Sequence, residues 1–384
     1  MAARVAIVAA DVETALGAGL APTLDRLLRG ESAVAPVRGF DPAPFRGDAA
    51  AQVAAETAVA SAEGPTRVLT AHGRILERLA RAVHDAARGG AIARDRVGLY
   101  VALGMVDSDP AALAPALSAS RADDGAFDLA RFFAGAFRSI HPHWPLQMLG
   151  NVAVGQVAAD LDARGDNLVL GPEADAGARA IVEAAEAVRE GVVSLAVVAG
   201  IAETVSPAAL LRASLRGVPG LVLGEGGGAL ALEASEAAAA RGVKPLGFLS
   251  GTGSAFGPSD VGPGPSAEAI ERAARAALAA AGASPEDVGL LLVEGGSAEE
   301  ADARRALFGR RANLAVLAPA LGVGHLLAGA PAVAVALATG VLALGRAPSG
   351  AGGRPRPVPR GARALVLSSG SAGGAAALVV EGAS

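Results

Sequence analysis

The stretches Arg94-Asp-Arg-Val-Gly-Leu-Tyr-Val-Ala-Leu-Gly104 and Pro285-Glu-Asp-Val-Gly-Leu-Leu-Leu-Val-Glu-Gly295 decide the fold. Each follows a helical stretch and consists of an acidic turn, the sequence Val-Gly-Leu, an apolar strand and a glycine. They lie about 190 residues apart, which is far longer than the period of roughly 20 to 50 residues that a solenoid uses. The repeat therefore predicts a duplicated α/β unit.

Outside this repeat, short apolar runs alternate with alanine-rich helical stretches. The predicted strands are Val5–Ala9, Val97–Ala102, Asn167–Leu170, Leu195–Ala199, Ala229–Glu233, Gly247–Ser250, Leu290–Val293 and Ala364–Leu367. The predicted helices are Pro22–Arg29, Val68–Arg88, Ala178–Arg189, Ala267–Ala281 and Ala330–Leu344. This alternation predicts an α/β fold in which helices cover mostly parallel sheets.

The two halves are expected to join near Arg241–Pro245, after a short alanine-rich helix. We therefore divide the chain into an N-terminal half, residues 1–243, and a C-terminal half, residues 244–384. The stretch Arg346–Gly361 is rich in glycine, proline and arginine, which predicts a loop.

Composition excludes several classes of function. The chain has 384 residues, of which 52% are hydrophobic and 18% charged, with a net charge of -5 and no cysteine. Disulfides, thiolate chemistry and cysteine-bound metals are excluded, and the charge offers no footprint for nucleic acid. The five histidines form no metal-binding motif, and His141-Pro-His-Trp-Pro145 is interpreted as a packed turn. We expect no metal.

One segment has the length and composition of a membrane span. No charged residue occurs from Leu321 to Leu344, but the segment contains several glycines and Pro331. A helix that is apolar on all sides also suits the centre of a large core, and we predict a buried helix. The N-terminus lacks the pattern of a signal peptide, so a cytoplasmic protein without a membrane partner is expected.

Common catalytic motifs are absent: the sequence has no Walker A motif, no His-Glu-x-x-His and no Gly-x-Ser-x-Gly. Gly251-x-Gly253-x-x-x-Gly257 misses the spacing of a dinucleotide-binding loop and runs into Pro258. We interpret it as a bend between strand and loop, and expect no cofactor.

Four other segments carry a family resemblance. They are the N-terminal run Val5–Gly17 with the Leu28–Ser32 and Gly39–Pro42 segments that follow it, the run Leu223–Glu233, the pair Gly324-His325, and the turn Ser368–Gly374. In this order and at these separations, the chain resembles the β-ketoacyl synthases of the thiolase fold over essentially its whole length. The resemblance implies two similar α/β halves packed as five αβαβα layers.

Enzymes of this family use a cysteine at a helix N-terminus, two histidines and a lysine. The resemblance places the cysteine at Ala174, the first histidine at Gly296 and the lysine at Ala320, and only His325 is retained. Loss of the nucleophile removes the covalent step entirely. We therefore predict a ketosynthase fold without independent condensing activity.

Such a chain resembles the chain length factor of type II polyketide synthases, a cysteine-free subunit that forms a heterodimer with an active ketosynthase. Its turn reads Glu-Gln-Ala-Gly-Gly. Glu173 matches the glutamate, but Ala174 replaces the glutamine, which leaves room for partner subunits of aryl-polyene or other polyene systems. An acyl carrier protein is expected to dock mainly on the partner, because an acidic carrier prefers a basic face.

By the same resemblance, Gly104–Asn151 lies near the dimer interface and the acyl tunnel. The candidate chamber or interface residues are Met105, Phe132, Phe133 and Trp144. Phe132 and Phe133 belong to a stripe with Phe127 and Phe137, which is typical of a core but equally fits an interface or a chamber wall.

Several alternatives stay open. His325 either polarises an acyl carbonyl or is an inert polar group capping the buried helix. Glu173 either forms an ion pair or simply favours the helix N-terminus. The chain as a whole is alternatively a cysteine-less decarboxylase or acyltransferase that uses His325 as acid and base, or a protein that binds an acyl group or acyl carrier without a ketosynthase.

Overall fold

The computed structural model describes residues 4–45, 47–54, 71–107, 110–142, 144–217, 221–349 and 354–383. Its strands are β1 (Val5–Thr14), β2 (Gly17–Ala18), β3 (Ala35–Pro36), β4 (Ala49–Ala50), β5 (Val97–Leu103), β6 (Asn167–Leu170), β7 (Leu195–Ile201), β8 (Gly226–Ala234), β9 (Gly247–Phe256), β10 (Val288–Leu292), β11 (Ala315–Leu317), β12 (Arg346–Ala347), β13 (Arg356–Pro357), β14 (Arg363–Ser369) and β15 (Gly374–Gly382).

The helices are α1 (Leu20–Leu28), α2 (Ala71–Ala86), α3 (Pro110–Ala119), α4 (Leu129–Ala134), α5 (Trp144–Gln147), α6 (Gly150–Leu161), α7 (Ala174–Arg189), α8 (Pro207–Arg216), α9 (Ser235–Ala240), α10 (Ala267–Ala280), α11 (Ala298–Phe308), α12 (Ala320–Val323) and α13 (Ala330–Leu344). The first three residues of the predicted helix Val68–Arg88 lie outside the described residues.

The strand order repeats in the two halves. The N-terminal half has the order β6-β5-β7-β8-β1 and the C-terminal half the order β11-β10-β14-β15-β9. In each half the first three strands of this order are parallel to one another. The fourth strand is antiparallel to the third, and the fifth is antiparallel to the fourth. β1 and β9 pair antiparallel and connect the halves. The predicted α/β duplication is confirmed, whereas the boundary between residues 243 and 244 stays a prediction.

Helices separate and cover these sheets. α7 packs on β5 and β7, α13 packs on β8 and β14, and the two helices contact each other between the halves. α2 covers the outer face of the N-terminal strands, and α10 covers β9 and β15. The chain therefore forms the five alternating layers that the resemblance implies.

The central position of α13 explains why its sequence is apolar on all sides. Among the described residues, one helical stretch, Leu327–Leu344, is long and apolar enough to cross a membrane, and 72% of it is buried inside the protein. Sheets lie on two of its faces and α7 on another. The prediction of a buried helix is confirmed.

Two local predictions were wrong or incomplete. Gly251 and Gly253 lie within β9 rather than in a bend, because α10 packs directly on this strand: a β-carbon at Gly251 would lie 2.1 Å from the carbonyl oxygen of Ala277. The predicted loop Arg346–Gly361 contains the short antiparallel pair β12–β13, and its residues 350–353 lie outside the described part of the chain.

Candidate functional site

The helix start that would carry a nucleophile is closed by an ion pair. α7 begins at Ala174, which is fully buried, and Glu173 is its N-cap residue without a capping hydrogen bond from its side chain. Instead, Glu173 pairs with Arg216 at 2.8 Å and accepts a hydrogen bond from the Ser371 hydroxyl at 3.3 Å. The structure thus favours the ion-pair interpretation of Glu173.

Arg216 was missed by sequence reasoning, since it lies at the end of α8 outside every motif. It belongs to a chain of charges that continues to Glu203 at 3.9 Å and from there to Arg212 at 2.7 Å. Arg212 also binds Asp107 through both terminal nitrogens. Burial raises the pKa of Glu203, although its two arginine neighbours act in the opposite direction.

The retained histidine has both ring nitrogens occupied. His325 Nδ1 accepts a hydrogen bond from the Leu327 N–H at 3.2 Å, and Nε2 lies 3.3 Å from Glu294 Oε2. The other oxygen of Glu294 accepts the Ser369 N–H at 3.0 Å. Because Nδ1 is an acceptor, the neutral ring carries its proton on Nε2 and donates it to Glu294. No ring nitrogen is left for an acyl carbonyl in this arrangement.

Glu294 also governs the protonation of this histidine. Burial lowers the pKa of His325, but the hydrogen bond and the charge of Glu294 outweigh burial, so the pKa is raised overall. Glu294 directly precedes Gly295 at the end of the repeated sequence Pro285–Gly295. The position of Glu294 in this repeat is the sequence signal from which the residue could have been identified.

The position of the first family histidine has a backbone that suits glycine. Gly295 and Gly296 have φ values of 81° and 107°, a region that residues with a β-carbon rarely adopt. A histidine at position 296, where the resemblance places the first family histidine, would be strained in this backbone conformation. Ala320, at the lysine position, begins the short helix α12.

A second buried carboxyl lies behind this loop. Glu300 is 9% exposed and accepts hydrogen bonds from the backbone N–H groups of Glu294 and Gly295. Burial, followed by the negative charge of Glu294, raises the pKa of Glu300 to about 7. Sequence reasoning missed this residue, since only folding brings its side chain under the loop.

These residues line one cavity of about 520 Å³, which we call the vestigial pocket. Glu173, Gly296, Ala320 and His325 all contribute to its wall, so the structure brings the four predicted positions together, with buried Ala174 behind Glu173. Its charged lining consists of Glu173, Arg216, Glu294, Glu299, Glu300 and His325. This carboxylate-rich wall disfavours the binding of a further negatively charged group, such as the carboxylate of a malonyl group.

The candidate chamber residues lie elsewhere, on the surface. Met105 is 42% exposed and Phe133 65% exposed, Phe132 and Trp144 are half-buried, and none of the four lines the vestigial pocket. The interpretation of the phenylalanine stripe as core is wrong. The large exposed apolar side chains of this segment, which we call the apolar surface, are Met105, Leu117, Phe127, Leu129, Phe133, Phe137, Leu146, Met148 and Leu149.

The expected absence of a metal site concerns the His, Asp and Glu side chains. Within the described part of the chain, no group of three or more His, Asp or Glu side chains is arranged to hold a metal ion. His141 is exposed, and His143 lies outside the described residues.

Comparisons with known proteins identify the family. The model of the β-ketoacyl synthase N-terminal domain matches residues 2–238, and that of the C-terminal domain matches residues 246–351. The chain therefore belongs to the β-ketoacyl synthase family.

Two curated relatives match parts of the chain. 3-Oxoacyl-(acyl-carrier-protein) synthase 2 of Staphylococcus aureus is 30% identical over 217 residues, which are 50% of this chain and 53% of the relative. The actinorhodin polyketide putative β-ketoacyl synthase 2 of Streptomyces coelicolor is 42% identical over 117 residues, 29% of this chain and 28% of the relative. The chain thus spans about half the length of the first relative, and less of the second.

Solved structures match the whole chain. The ishigamide ketosynthase/chain length factor superposes with a TM-score of 0.81 at 20% identity and full coverage of both chains. A type II PKS acyl-carrier protein in complex with its ketosynthase gives a TM-score of 0.81 at 19% identity, again with full coverage. At these identities the likeness establishes the ketosynthase fold.

Proposed function

We propose that this chain is a non-catalytic ketosynthase-like subunit, a chain length factor, that pairs with an active β-ketoacyl synthase in type II polyketide or polyene biosynthesis. The observation that carries the proposal is the start of α7. The position to which the resemblance assigns the nucleophile holds buried Ala174, and its neighbour Glu173 forms an ion pair with Arg216. A thioester has no group to attack it there.

The rest of the pocket supports the same conclusion. His325 is held between Glu294 and the Leu327 N–H, so it offers no ring nitrogen to a substrate carbonyl. The carboxylates around it oppose the binding of a malonyl carboxylate. These features disfavour a cysteine-less decarboxylase that uses His325 as acid and base.

The apolar surface supports a partner. Phe127, Phe132, Phe133 and Phe137 form an aromatic cluster with ring centroids 5.3 to 6.4 Å apart, yet three of these rings are largely exposed. Large contiguous apolar areas on a protein surface mark interaction sites. In the complex, these rings and Met105 would close the partner's acyl chamber and limit the chain length sterically.

The test is co-expression of this chain with an active type II ketosynthase subunit, followed by size-exclusion chromatography with mass detection. We expect a one-to-one complex whose condensing activity requires this chain. Phe133→Glu is expected to weaken the complex by tenfold or more, since a buried unpaired charge costs on the order of 2 kcal/mol or more.

Val261→Glu is the matched control, because Val261 is an exposed apolar residue (89%) in the C-terminal half, and it should leave the complex intact. A stable homodimer of this chain that excludes the ketosynthase would contradict the proposal. Turnover by the isolated chain, abolished by His325→Ala, would instead establish the enzyme alternative.

A protein that binds an acyl group without a ketosynthase is a second candidate, because the cavity of about 520 Å³ persists despite the lost catalytic groups. This candidate predicts that the isolated chain binds a non-hydrolysable acyl-pantetheine thioether. Binding abolished by Leu321→Trp at the pocket wall would support it, and no measurable binding would exclude it.

A further inference from the structure

The charge of the chain is strongly segregated along its sequence. Residues 303–380 contain nine arginines and no aspartate, glutamate or lysine. A charge of +9 in this stretch, against -5 for the whole chain, leaves -14 for the remainder. The modest net charge thus conceals a basic region within the C-terminal half.

Six of these arginines have exposed side chains and form no ion pair within the described residues; we call them the arginine face. They are Arg304, Arg310, Arg346, Arg354, Arg356 and Arg360. Of the other three, Arg305 pairs with Asp302, Arg363 pairs with Glu381, and Arg311 donates to the backbone carbonyls of Pro285 and Glu286.

The fold brings the two sequence groups of this face together. Arg346 and Arg356 lie on the paired strands β12 and β13, and β12 packs beside the edge strand β11. Arg304 of α11 and Ser349, which follows β12, line a common cavity of about 350 Å³. Arg304, Arg346 and Arg356 therefore lie around the β11 edge of the C-terminal half, and Arg354 joins them because its carbonyl oxygen accepts a hydrogen bond from the Ser349 hydroxyl. Arg310 and Arg360 follow α11 and β13 within three residues.

The chemistry of this face favours carboxylates on a protein. The planar guanidinium pairs with carboxylates through two parallel hydrogen bonds. Residues 309–384 contain no phenylalanine, tyrosine or tryptophan, so the face has no ring for stacking on unpaired bases and no aromatic anchor for a membrane interface. A row of unpaired cations contributes to long-range attraction of a negatively charged partner rather than to folding.

The arginine face reaches the vestigial pocket at Arg304. The cavity beside Arg304 and that pocket are both lined by Gly295, Gly296 and Ser297. A partner bound to the face would therefore be close to the side of the pocket where the family histidine has been replaced by glycine.

We propose that the arginine face is a docking surface for an acidic protein, the acyl carrier protein of the system that this subunit serves. The inference rests on the proposed function and changes one expectation: the carrier contacts this chain as well as its ketosynthase partner. The apolar surface follows β5 in the other half, so pairing with the ketosynthase and docking of the carrier use different residues.

The test measures the affinity of a purified bacterial holo acyl carrier protein for the one-to-one complex, at low and at high salt. R354E/R356E/R360E is expected to weaken binding by about tenfold or more at low salt, with a smaller effect at high salt. R81E/R164E/R179E makes the same change in net charge at exposed positions of the N-terminal half and should change the affinity by about twofold or less.

Equal weakening by both triple variants, or an unchanged affinity of the face variant, would overturn the inference. So would tighter binding to phosphatidylglycerol vesicles or to a single-stranded oligonucleotide than to the carrier. Size-exclusion chromatography of each variant with the ketosynthase keeps the two proposals distinguishable, since loss of the one-to-one complex reports on pairing and not on docking of the carrier.

Discussion

The positions to which the family resemblance assigns catalysis have surroundings that do not suit the family's side chains. Ala174 is fully buried next to Glu173, which pairs with Arg216, and Gly296 occupies a backbone conformation that favours glycine. His325, the retained family residue, is bound on both ring nitrogens. On the proposed function, we expect that restoring one family side chain does not produce condensing activity, because the other groups of the pocket are not arranged to support it.

The buried position of Ala174 leads to a labelling prediction. The sequence contains no cysteine, so Ala174→Cys introduces a single thiol, which we expect to stay unreactive toward Ellman's reagent until the protein unfolds. Ser371→Cys, on the exposed turn beside Glu173, is the control and should react in the native state. Rapid native labelling at position 174 would mean that the pocket is open to that helix start. We also expect no condensing activity from Ala174→Cys.

Glu300 leads to a prediction about pH. Its pKa in the folded state is about 7, whereas a glutamate in an unfolded chain titrates near about 4.3. Between these values the folded state binds more protons than the unfolded state, so the free energy of unfolding falls as the pH rises through this window. The expected decline is on the order of 3 kcal/mol.

Urea unfolding at a series of pH values measures this decline. Glu300→Gln, which cannot ionise, is expected to remove the part of the decline that Glu300 contributes, while exposed Glu268→Gln on α10 should leave the decline unchanged. Asp175, Glu203 and Glu225, whose pKa values burial also raises, account for a remaining decline in both variants. A wild-type free energy of unfolding that is flat from about pH 5 to pH 7 would contradict the assigned protonation of Glu300.

At the scale of elements, glycine allows β9 and α10 to pack in direct contact. A β-carbon at Gly251 would lie 2.1 Å from the carbonyl oxygen of Ala277, and one at Gly253 would lie 2.3 Å from that of Ala273. Both obstacles are helix backbone, which cannot move aside as a flexible side chain would. The glycine spacing therefore serves helix-on-sheet packing and not ligand binding.

Gly251→Ala is expected to lower the free energy of unfolding by about 1–3 kcal/mol, since the strand and the helix must separate to admit the methyl group. Gly262→Ala is the matched control, because a β-carbon there would meet no atom within 4 Å, and its cost should be within about 0.5 kcal/mol. Urea denaturation of the two variants measures the difference. Equal stabilities would show that the contact between β9 and α10 adjusts without cost.

At the scale of the whole molecule, the two halves share a core. α13 of the C-terminal half packs on β8 of the N-terminal half, and α7 of the N-terminal half packs on β15 of the other. The β1–β9 pairing adds backbone hydrogen bonds across the join. Neither half can bury its central helix alone, and separating them would expose apolar surface on both.

Proteolytic cleavage between the two halves tests whether each half packs its helix on the other. A protease site inserted between Val243 and Lys244 is expected to give two fragments that stay together in size-exclusion chromatography and unfold in a single calorimetric transition. The physical reason is the apolar area buried by α7 and α13. Fragments that separate in buffer would contradict the shared core, while an intact inserted chain of unchanged stability before cleavage serves as the control.

Much of this protein followed from sequence, since the decisive signals are local. The repeated Val-Gly-Leu strands predicted the duplication, and period and apolarity predicted most central strands and the buried helix α13. The three-residue strand β11 was missed, because so short a run carries no periodic signal and only its parallel neighbour β10 gives it a place in the sheet. The motif resemblance pointed to Glu173, Gly296, Ala320 and His325, which the fold gathers around one pocket.

Only the tertiary structure decided which side chains line that pocket and which contacts they make. Arg216 reaches Glu173 from the end of another helix, and Glu300 lies under a loop that it follows in sequence. The exposure of the phenylalanine stripe and the assembly of the arginine face likewise depend on which elements cover each other. Local sequence sets helix and strand preferences, whereas ion pairs, pKa values and surface patches depend on distances between residues remote in sequence, which exist only in the folded chain.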